Sequence, residues 1–325
     1  MNMKAIRIDK FGGPEVLQYK EVDIGKPGPN EVLVKNFSIG LNYIDVYHRT
    51  GLYPVELPSG LGLESAGIIE EIGSEVKLFD VGDRVCKASA PIGGYSEKQI
   101  IPEEKLVKIP DGISNEIASS ILLKGITSEY LLHRAYAVKK GSKILFHAAA
   151  GGVGQILCQW ANSLGCEVIG TVGSNSKIEI AKRNGCHHVI NYTDNNFVEE
   201  VEKIIGKNGI DVVYDGVGAK TFEGSLECLK IRGMMIAFGN ASGYVNTIDI
   251  KKHIAPKGLF FTRPSIMQYT IRRDELEESA RKVFDAVLSK KIKIEISKKF
   301  KLSEAQKAHI DLENRVLTGP AVIIP

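Results

Sequence analysis

The stretch KILFHAAAGGVGQILCQWANSLG, residues 143–165, decides the fold. It opens with a short apolar run, turns through small residues and continues with apolar residues at helical spacing, which predicts a strand, a tight turn and a helix. Ala149, Gly151 and Gly154 match the G-x-G-x-x-G pattern of dinucleotide-binding turns, with alanine in the first place. Such a turn lets a pyrophosphate approach the N-terminus of the helix, where unpaired N–H groups favour an anion. A lone glycine pattern is a weak indicator, but here a second apolar run, 168–172, follows as the next strand should.

The composition is typical of a soluble protein with two domains. The chain has 325 residues, of which 43% are hydrophobic and 25% charged. The net charge of +3 is the small difference between 42 basic and 39 acidic residues, so it gives no argument for binding nucleic acid or a membrane. The five cysteines include no C-x-x-C pair, which favours a reducing compartment. Residues 1–10 lack the apolar core of a signal peptide, and no run approaches the ~18 apolar residues of a transmembrane helix, so we expect a cytoplasmic protein.

The pattern of predicted secondary structure changes near Lys124. Before it, residues 3–123 contain short β-rich runs separated by Gly and Pro, which predicts an antiparallel sheet or partial barrel, interrupted by a long loop at 42–62. A helical stretch at 114–137 leads into the glycine-rich unit. From there to residue 264, strands and helices alternate, which predicts a doubly wound parallel sheet of the Rossmann type with helices on both faces.

The last sixty residues carry a weaker pattern. An amphipathic helix is predicted at 274–289, a charged strand at 292–296, a helix beginning at Ser303, and a short apolar tail at 321–325. The tract 289–301 alternates lysine with isoleucine, which is typical of a half-buried edge strand protected by its charges.

The end of the second strand predicts which dinucleotide binds. An Asp or Glu about twenty residues past the glycines selects NAD by bonding the ribose 2′-hydroxyl. Here residues 173–177 read GSNSK and contain no acid. Ser174 and Lys177, with the hydroxyl of Tyr192 after the third strand, are suited to a 2′-phosphate, so we predict NADPH rather than NADH. The simpler alternative is that Ser174 caps the next helix and Lys177 is solvated.

Six segments resemble the medium-chain dehydrogenase/reductase superfamily, and within it the zinc-free quinone oxidoreductases related to zeta-crystallin. The resemblance implies a β-rich, GroES-like catalytic domain formed by residues 1–123 and 265–325, and an NADPH-binding Rossmann domain at 124–264. It also implies a homodimer in which edge strands of the nucleotide domains pair across a two-fold axis. The segments are FGGPEVL at 11–17, IGLNYIDVYHRTGLYP at 39–54, SGLGLESAG at 59–67, GSEVKLFDVGDRV at 73–85, HAAAGGVG at 147–154 and FGNASG at 238–243.

Two positions argue against a catalytic metal. Where zinc-dependent alcohol dehydrogenases of this superfamily place a cysteine and a histidine, this chain has Asn42 and Leu63, which cannot replace a thiolate and an imidazole as zinc ligands. Glu64 alone makes no metal site. The cysteine-rich lobe that holds structural zinc is missing too, since Cys86 is the only cysteine between residues 80 and 110.

A substrate that needs no metal must accept hydride easily. A quinone does so because the negative charge is delocalised over its own conjugated system. The main task of the protein is then to hold the nicotinamide against the quinone in a dry cleft between the domains. We therefore predict an NADPH-dependent quinone oxidoreductase, with no metal and no membrane partner.

The resemblance implies roles for individual residues. Asn42 and Tyr47, on the loop at 42–62, are the candidate catalytic residues and would contact the cofactor or a quinone oxygen; the alternatives are a turn-forming Asn and a packing Tyr. Asp45 is expected to orient Arg49 or a backbone group rather than to act as a base. Arg315, placed on the last helix, would reach the cofactor phosphates, unless it is simply a solvated charge. The full set of predicted cofactor contacts is Asn42, Tyr47, Thr127, Ala150, Gly151, Gly152, Val153, Gly173, Ser174, Lys177, Tyr192, Val217, Phe238, Gly239, Asn240, Arg263, Ser265 and Arg315.

Two other functions remain open at the level of sequence. The first is reduction of an activated alkene such as a 2-alkenal or enone, which uses the same fold and cofactor without zinc. The second, from a different class, is a nucleotide-regulated RNA-binding protein. Only the basic run 289–301 supports RNA binding, and Phe300 is its single aromatic residue, whereas single-strand binding normally relies on several stacking rings.

Overall fold

The computed structural model describes residues 2–325, and they divide into two units. The first division falls after Lys124, inside a helix, and the second after Ile271 rather than after residue 264. Unit 1 runs to Lys124 and also contains Arg272–Leu288 and Ile294–Pro325, whereas unit 2 contains Gly125–Ile271 and Ser289–Lys293. None of the helices between residues 2 and 325 is long and apolar enough to cross a membrane.

In chain order, the strands and helices are β1 (Asn2–Ile8), β2 (Gln18–Asp23), β3 (Glu31–Gly40), α1 (Tyr43–Thr50), β4 (Ser59–Gly60), β5 (Glu64–Ile72), β6 (Arg84–Ala88), β7 (Lys98–Pro102), β8 (Val107–Lys108), α2 (Asn115–Tyr130), β9 (Lys143–Phe146), α3 (Gly152–Ser163), β10 (Glu167–Val172), α4 (Ile178–Arg183), β11 (His188–Asn191), α5 (Phe197–Ile205), β12 (Ile210–Asp215), α6 (Phe222–Cys228), β13 (Leu229–Ala237), β14 (Phe260–Thr262), α7 (Ile266–Tyr269), α8 (Arg273–Leu288), β15 (Lys298–Lys301), α9 (Ala305–Glu313) and β16 (Ala321–Ile324).

Unit 1 is built on two sheets. The smaller has the strand order β2-β1-β4, and the larger β15-β16-β3-β5-β6-β8, with β7 paired to β3. All pairs are antiparallel except β15 with β16. The strands bury alternate apolar side chains in two clusters, one around Ile8 and Ile323 and the other around Val32 and Ile101. The predicted β-rich body with a mainly antiparallel sheet is confirmed.

Unit 2 is a parallel sheet of six strands in the order β11-β10-β9-β12-β13-β14. The central strands β9 and β12 are buried almost throughout, because helices cover both faces of such a sheet. α3 packs on β10 and buries Leu157 and Trp160, so the aromatic residue after the glycine-rich turn belongs to the core. The predicted Rossmann fold is confirmed.

The predicted loop at 42–62 is wrong in its first half, which forms α1. Asn42 begins this helix: its backbone N–H donates to Asp45 Oδ2 at 3.0 Å, and this contact satisfies one unpaired N–H of the first turn. Gly51 ends the helix in the left-handed conformation, with φ 78°. Tyrosine, proline and glycine suggested a loop, but these local contacts at each end stabilise a helix.

The predicted strand at 292–296 is also wrong. The backbone of Lys293 is bound instead by the side-chain amide of Gln159, whose Oε1 accepts from the N–H at 2.9 Å and whose Nε2 donates to the carbonyl at 3.1 Å. Strand β15 begins only at Lys298, which pairs with Ala321. Before it, the Ser297 N–H donates to the Pro320 carbonyl at 2.8 Å, but Pro320 has no N–H to donate in return. β15 lies at the edge of its sheet and carries three exposed lysines.

Candidate active site

The turn between β9 and α3 is shaped to receive an anion. The N-cap residue Gly151 has no side chain that could satisfy the first N–H groups of the helix, and its own N–H donates to the Ala148 carbonyl at 2.8 Å. A Cβ on Gly154 would lie 2.6 Å from the Ala149 carbonyl oxygen, so the close approach requires glycine. Free N–H groups at the positive end of a twelve-residue helix favour a phosphate. The geometry fits a dinucleotide pyrophosphate.

The predicted cofactor residues of unit 2 that follow its strands gather at one edge of the sheet. Strands β9 to β14 all run in the same direction, so their carboxyl ends meet there, which is where doubly wound sheets bind ligands. The turns after these strands carry Ala150, Gly151, Gly152 and Val153; Gly173, Ser174 and Lys177; Tyr192; Val217; Phe238, Gly239 and Asn240; and Arg263 and Ser265. Thr127 lies elsewhere, as a buried residue of α2.

The end of β10 holds the residues predicted to select NADPH. The N–H of Tyr192 donates to the Val172 carbonyl at 3.1 Å, which brings the third strand end beside Gly173. Ser174 begins a short 3-10 turn without a capping hydrogen bond from its side chain, and its hydroxyl lies 2.9 Å from that of Ser176. The capping alternative therefore has no support in the structure.

A buried carboxylate that the sequence analysis missed organises the next turn. Asp215, the last residue of β12, accepts hydrogen bonds from the N–H groups of Val217 and Gly218 at 2.7 and 3.0 Å and from the Thr221 hydroxyl at 2.7 Å. Its backbone carbonyl also accepts from the N–H of Phe238 at 2.8 Å. Asp215 thus joins the turns after β12 and β13. The signal in the sequence was an acidic residue at the end of the apolar strand Ile210–Asp215.

In unit 1, Asn42 belongs to a buried cluster of polar side chains. Its Nδ2 donates to Glu64 Oε2 at 2.8 Å, and its Oδ1 accepts from Lys124 Nζ at 2.6 Å. Lys124 Nζ also lies 3.4 Å from Glu64 Oε2, and the other carboxylate oxygen accepts from the N–H of Leu123 at 2.7 Å. Burial raises the pKa of Glu64, and the ammonium of Lys124 and the amide of Asn42 oppose that shift. The amide is held in one orientation by an acceptor and a donor.

The sequence analysis missed Lys124, which it used only to mark a domain boundary. The signal was a single lysine inside the apolar helical run ILLKGI. Such a residue on the buried side of a helix needs a partner of opposite charge, and the structure supplies Glu64, the first residue of β5.

Tyr47 packs in a group of three tyrosines. Its ring centroid lies 5.4 Å from that of Tyr43, one turn earlier on α1, and 5.0 Å from that of Tyr53. The ring is half-buried. The ring of Tyr47 thus packs on two tyrosines and stays partly exposed.

Asp45 orients the backbone of Asn42 rather than Arg49. Its Oδ2 also accepts from the Tyr95 hydroxyl at 3.0 Å, and that hydroxyl lies 3.2 Å from His309 Nε2. Arg49 Nη1 lies 3.0 Å from His309 Nδ1 and can only donate, so Nδ1 accepts and Nε2 carries the proton. Burial raises the pKa of Asp45 to about 7. The network connects α1 to α9.

Arg315 is not on the last helix, because α9 ends at Glu313. Arg315 follows in the left-handed region, with φ 58°, and is exposed. Asn42, Tyr47 and Arg315 all belong to unit 1, whereas the turns that follow the parallel strands belong to unit 2. Among residues 2–325, the structure contains no group of three or more His, Cys, Asp or Glu side chains that could hold a metal ion.

The fold and the glycine-rich edge define the class of protein. Residues 28–111 match the family described as alcohol dehydrogenase GroES-like domain, and residues 152–288 match the family described as zinc-binding dehydrogenase. These are the two halves of a medium-chain dehydrogenase/reductase, as predicted.

Full-length relatives narrow the class. A quinone oxidoreductase of Pseudomonas aeruginosa is 46% identical over 99% of this chain and 99% of its own, and a 2-haloacrylate reductase of a Burkholderia species is 42% identical over 100% and 99%. The crystal structure of Escherichia coli quinone oxidoreductase complexed with NADPH matches with a TM-score of 0.97 and 44% identity, covering 99% of this chain and 100% of that one. The chain belongs to the quinone oxidoreductase family of the medium-chain dehydrogenase/reductases.

Proposed function

We propose that this chain is an NADPH-dependent quinone oxidoreductase that works without a metal. The proposal is carried by two features taken together. The strand end Gly173–Lys177 contains no acidic residue, and in a separate buried cluster Asn42 and Glu64 bind an ammonium. The first favours NADPH, and the second offers a single zinc-binding group, Glu64, where a zinc site needs three or four. Relatives named quinone oxidoreductases match 99% of the chain, and one was solved with NADPH.

The proposed cofactor site follows the edge of the parallel sheet. The N-terminus of α3 binds the pyrophosphate, and Ser174, Lys177 and Tyr192 bind the 2′-phosphate. Val217 and the segment 238–240 line the nicotinamide half, because Asp215 holds their two turns together. Thr127 contacts the nicotinamide ribose, Arg315 reaches the cofactor phosphates, and Arg263 and Ser265 make further contacts with the cofactor.

NADPH would supply a hydride, which carries two electrons, when it is bound. The task of Asn42 is to present its amide at a fixed angle to the nicotinamide or to a quinone oxygen, since Glu64 and Lys124 prevent the amide from turning over. Tyr47 closes one side of the site with its ring and contacts the cofactor with its hydroxyl. Asp45 stabilises the N-terminus of α1 and acts as a positioning residue.

Three further points belong to the proposal. Unit 2 is the nucleotide domain and unit 1 the catalytic domain. A second copy of the chain pairs along β14, an edge strand of the parallel sheet on which Phe260 is 56% exposed, so the enzyme is a homodimer. The protein is cytoplasmic, which agrees with five cysteines that are all free and buried.

Reduction of an activated alkene is the second candidate, supported by the relative named 2-haloacrylate reductase. RNA binding loses support, because lysines of the basic tract are paired. Lys298 Nζ lies 2.6 Å from Asp311, and Lys299 Nζ lies 2.7 Å from Glu116.

A substrate panel tests the function. NADPH oxidation is measured with 1,2- and 1,4-quinones and with 2-alkenals, and NADP⁺ reduction with secondary alcohols, before and after dialysis against a chelator. We expect quinone reduction that the chelator does not change. Turnover of alkenals but not of quinones would favour reduction of activated alkenes over quinone reduction. Alcohol oxidation that the chelator abolishes would contradict a mechanism without a metal.

A further inference from the structure

The ammonium of Lys124 is a buried cation to which the proposed reaction assigns no role. The Lys124 side chain is 7% exposed, and Glu64, its carboxylate partner, is fully buried. Removing an ammonium and a carboxylate from water has a large cost in free energy, and a pair at 3.4 Å recovers this only in part. An apolar pair of similar volume would anchor α2 more simply. The charge therefore points to chemistry rather than to packing.

The contacts of Lys124 fix where its Nζ lies. Asn42 Oδ1 accepts from it at 2.6 Å, so the ammonium is one hydrogen bond away from the amide proposed to face the nicotinamide or the acceptor. On α2, Lys124 precedes Thr127 by three residues, so both side chains lie on the same face of the helix. Thr127 is the proposed contact of the nicotinamide ribose. Two residues proposed to contact the nicotinamide half of the cofactor thus flank Lys124.

We propose that Lys124 is a catalytic residue that neutralises the negative charge on the reduced acceptor and gives it a proton; this inference rests on the proposed function. The quinone accepts hydride at one oxygen as a C–H bond of NADPH breaks, and its other oxygen is left negative. An N–H bond of Lys124 then breaks and an O–H bond forms at that oxygen. Water returns the proton to the amine, so quinone, NADPH and one proton give hydroquinone and NADP⁺.

Glu64 and Asn42 are the positioning residues of this cation. The carboxylate of Glu64 lies 3.4 Å from the Lys124 Nζ, and the amide of Asn42, itself bound to Glu64, accepts from that Nζ and fixes its direction. How strongly the reduction rate depends on Lys124 varies with the acceptor that is reduced. A quinone of high reduction potential carries the charge itself and needs the cation least, whereas a poor quinone or an enone localises the charge on one oxygen and needs it most.

A charge mimic tests the site without turnover. The phenol 4-nitrophenol ionises near neutral pH, absorbs differently as the phenolate, and resembles a hydroquinone that has lost one proton. We expect the wild-type enzyme, with NADP⁺ bound, to bind it as the phenolate and to shift its apparent pKa downward by about one unit, the effect of one nearby cation. If the wild-type protein binds it with no shift, the proposal is overturned before any variant is made.

The double variant Lys124→Met with Glu64→Gln removes the cation without leaving a buried carboxylate unpaired. A second variant, Lys124→Arg, keeps the positive charge. Lys87→Met is the matched control, since Lys87 is a fully buried lysine of the same unit whose Nζ donates to the backbone carbonyls of Ser89 and Pro91. The double variant is expected to bind 4-nitrophenol as the neutral phenol, and Lys87→Met to behave as the wild type does. Should the double variant fail to fold, Lys124→Arg must still bind the phenolate.

Kinetics with a series of quinones separate catalysis from support of the fold. The double variant should lose about 100-fold in kcat with the weakest acceptors and much less with the strongest, so its rate depends more steeply on reduction potential. A structural role would lower all rates by one factor and leave the slope unchanged, and that result overturns the proposal. Failure of the proposed function looks different: the wild-type enzyme then reduces no quinone at all, whether or not it binds the phenolate.

Discussion

Arg49 on α1 and Glu313 at the end of α9 are joined by two parallel hydrogen bonds of 2.7 and 2.8 Å, from Nη1 and Nη2 to the two carboxylate oxygens. Arg49 is 1% exposed, and Nη1 also donates to His309. We expect Arg49→Ala to lower the free energy of unfolding by about 3 kcal/mol, because it removes the donor of the buried His309 and of the partly buried Glu313. Arg49→Lys should recover little, since an ammonium cannot make the two-pronged contact.

Urea unfolding checks this prediction, with Arg281→Ala as the control. Arg281 also pairs with a carboxylate, that of Asp285, but both side chains are more than half exposed. Its removal should cost less than about 0.5 kcal/mol. Equal losses in the two variants would show that burial of the Arg49 pair adds nothing.

Stability should fall as the pH drops below about 6.5, the value at which an unfolded histidine titrates. Burial, assisted by the Arg49 guanidinium, lowers the pKa of His309 to about 3. At pH values between these two pKa values, His309 binds a proton in the unfolded chain but not in the folded chain, so acid favours unfolding. His309→Gln still offers an acceptor to Arg49 and a donor to Tyr95 but does not titrate. Between about pH 6.5 and 4.5 it should lose about 2 kcal/mol less than the wild type.

Urea unfolding across the pH range measures the difference. Asp45, whose pKa is raised to about 7, acts in the opposite sense, because its folded form binds a proton more readily than the unfolded chain does. It is present in both proteins and cancels in the comparison. Parallel curves for the two proteins would mean that His309 is charged in the folded state.

A structural feature could be predicted from the sequence mainly when the contacts that cause it lie between residues close together in the chain. The turn at Gly151 and Gly154 and the alternation that follows it are local patterns, and they gave the Rossmann fold correctly. Helix α1 was missed although its cause is local, because the contact between Asn42 and Asp45 was outweighed by tyrosines and glycines typical of a loop. The strand predicted at 292–296 failed because Gln159, far away in the chain, binds that backbone.

The polar cluster of unit 1 could not be predicted in the same way. Lys124 pairs with Glu64 across 60 residues and with Asn42 across 82, and no periodicity relates such positions. The apolar flanks of Lys124 only indicate that it is buried. Its partners are set by how β5 and α2 pack, which a single sequence does not reveal.

Lys177→Ala should change the choice of cofactor. If Lys177 binds the 2′-phosphate, kcat/KM with NADPH falls by about tenfold, the usual worth of a hydrogen bond to a charged group, while kcat/KM with NADH stays near the wild-type value. The control is Lys182→Ala on α4, whose ammonium pairs with exposed Glu179. Steady-state kinetics with both cofactors measure the ratio. An unchanged ratio in Lys177→Ala would remove this residue from the proposed site.

Gly154→Ala should weaken NADPH binding, because a Cβ at this position would meet the carbonyl oxygens of Ala148 and Ala149 at 2.7 and 2.6 Å. Both are backbone atoms of the turn, so the turn itself must move, and the N–H groups proposed to bind the pyrophosphate move with it. We expect the Kd for NADPH, measured by fluorescence titration, to rise by about tenfold or more, as for loss of one charged hydrogen bond. Gly25→Ala is the control, since nothing lies within 4 Å of the added carbon. A thermal melt of each variant separates this effect from general destabilisation: if Gly154→Ala melts early but binds NADPH normally, the glycine serves the packing of α3 and not the cofactor.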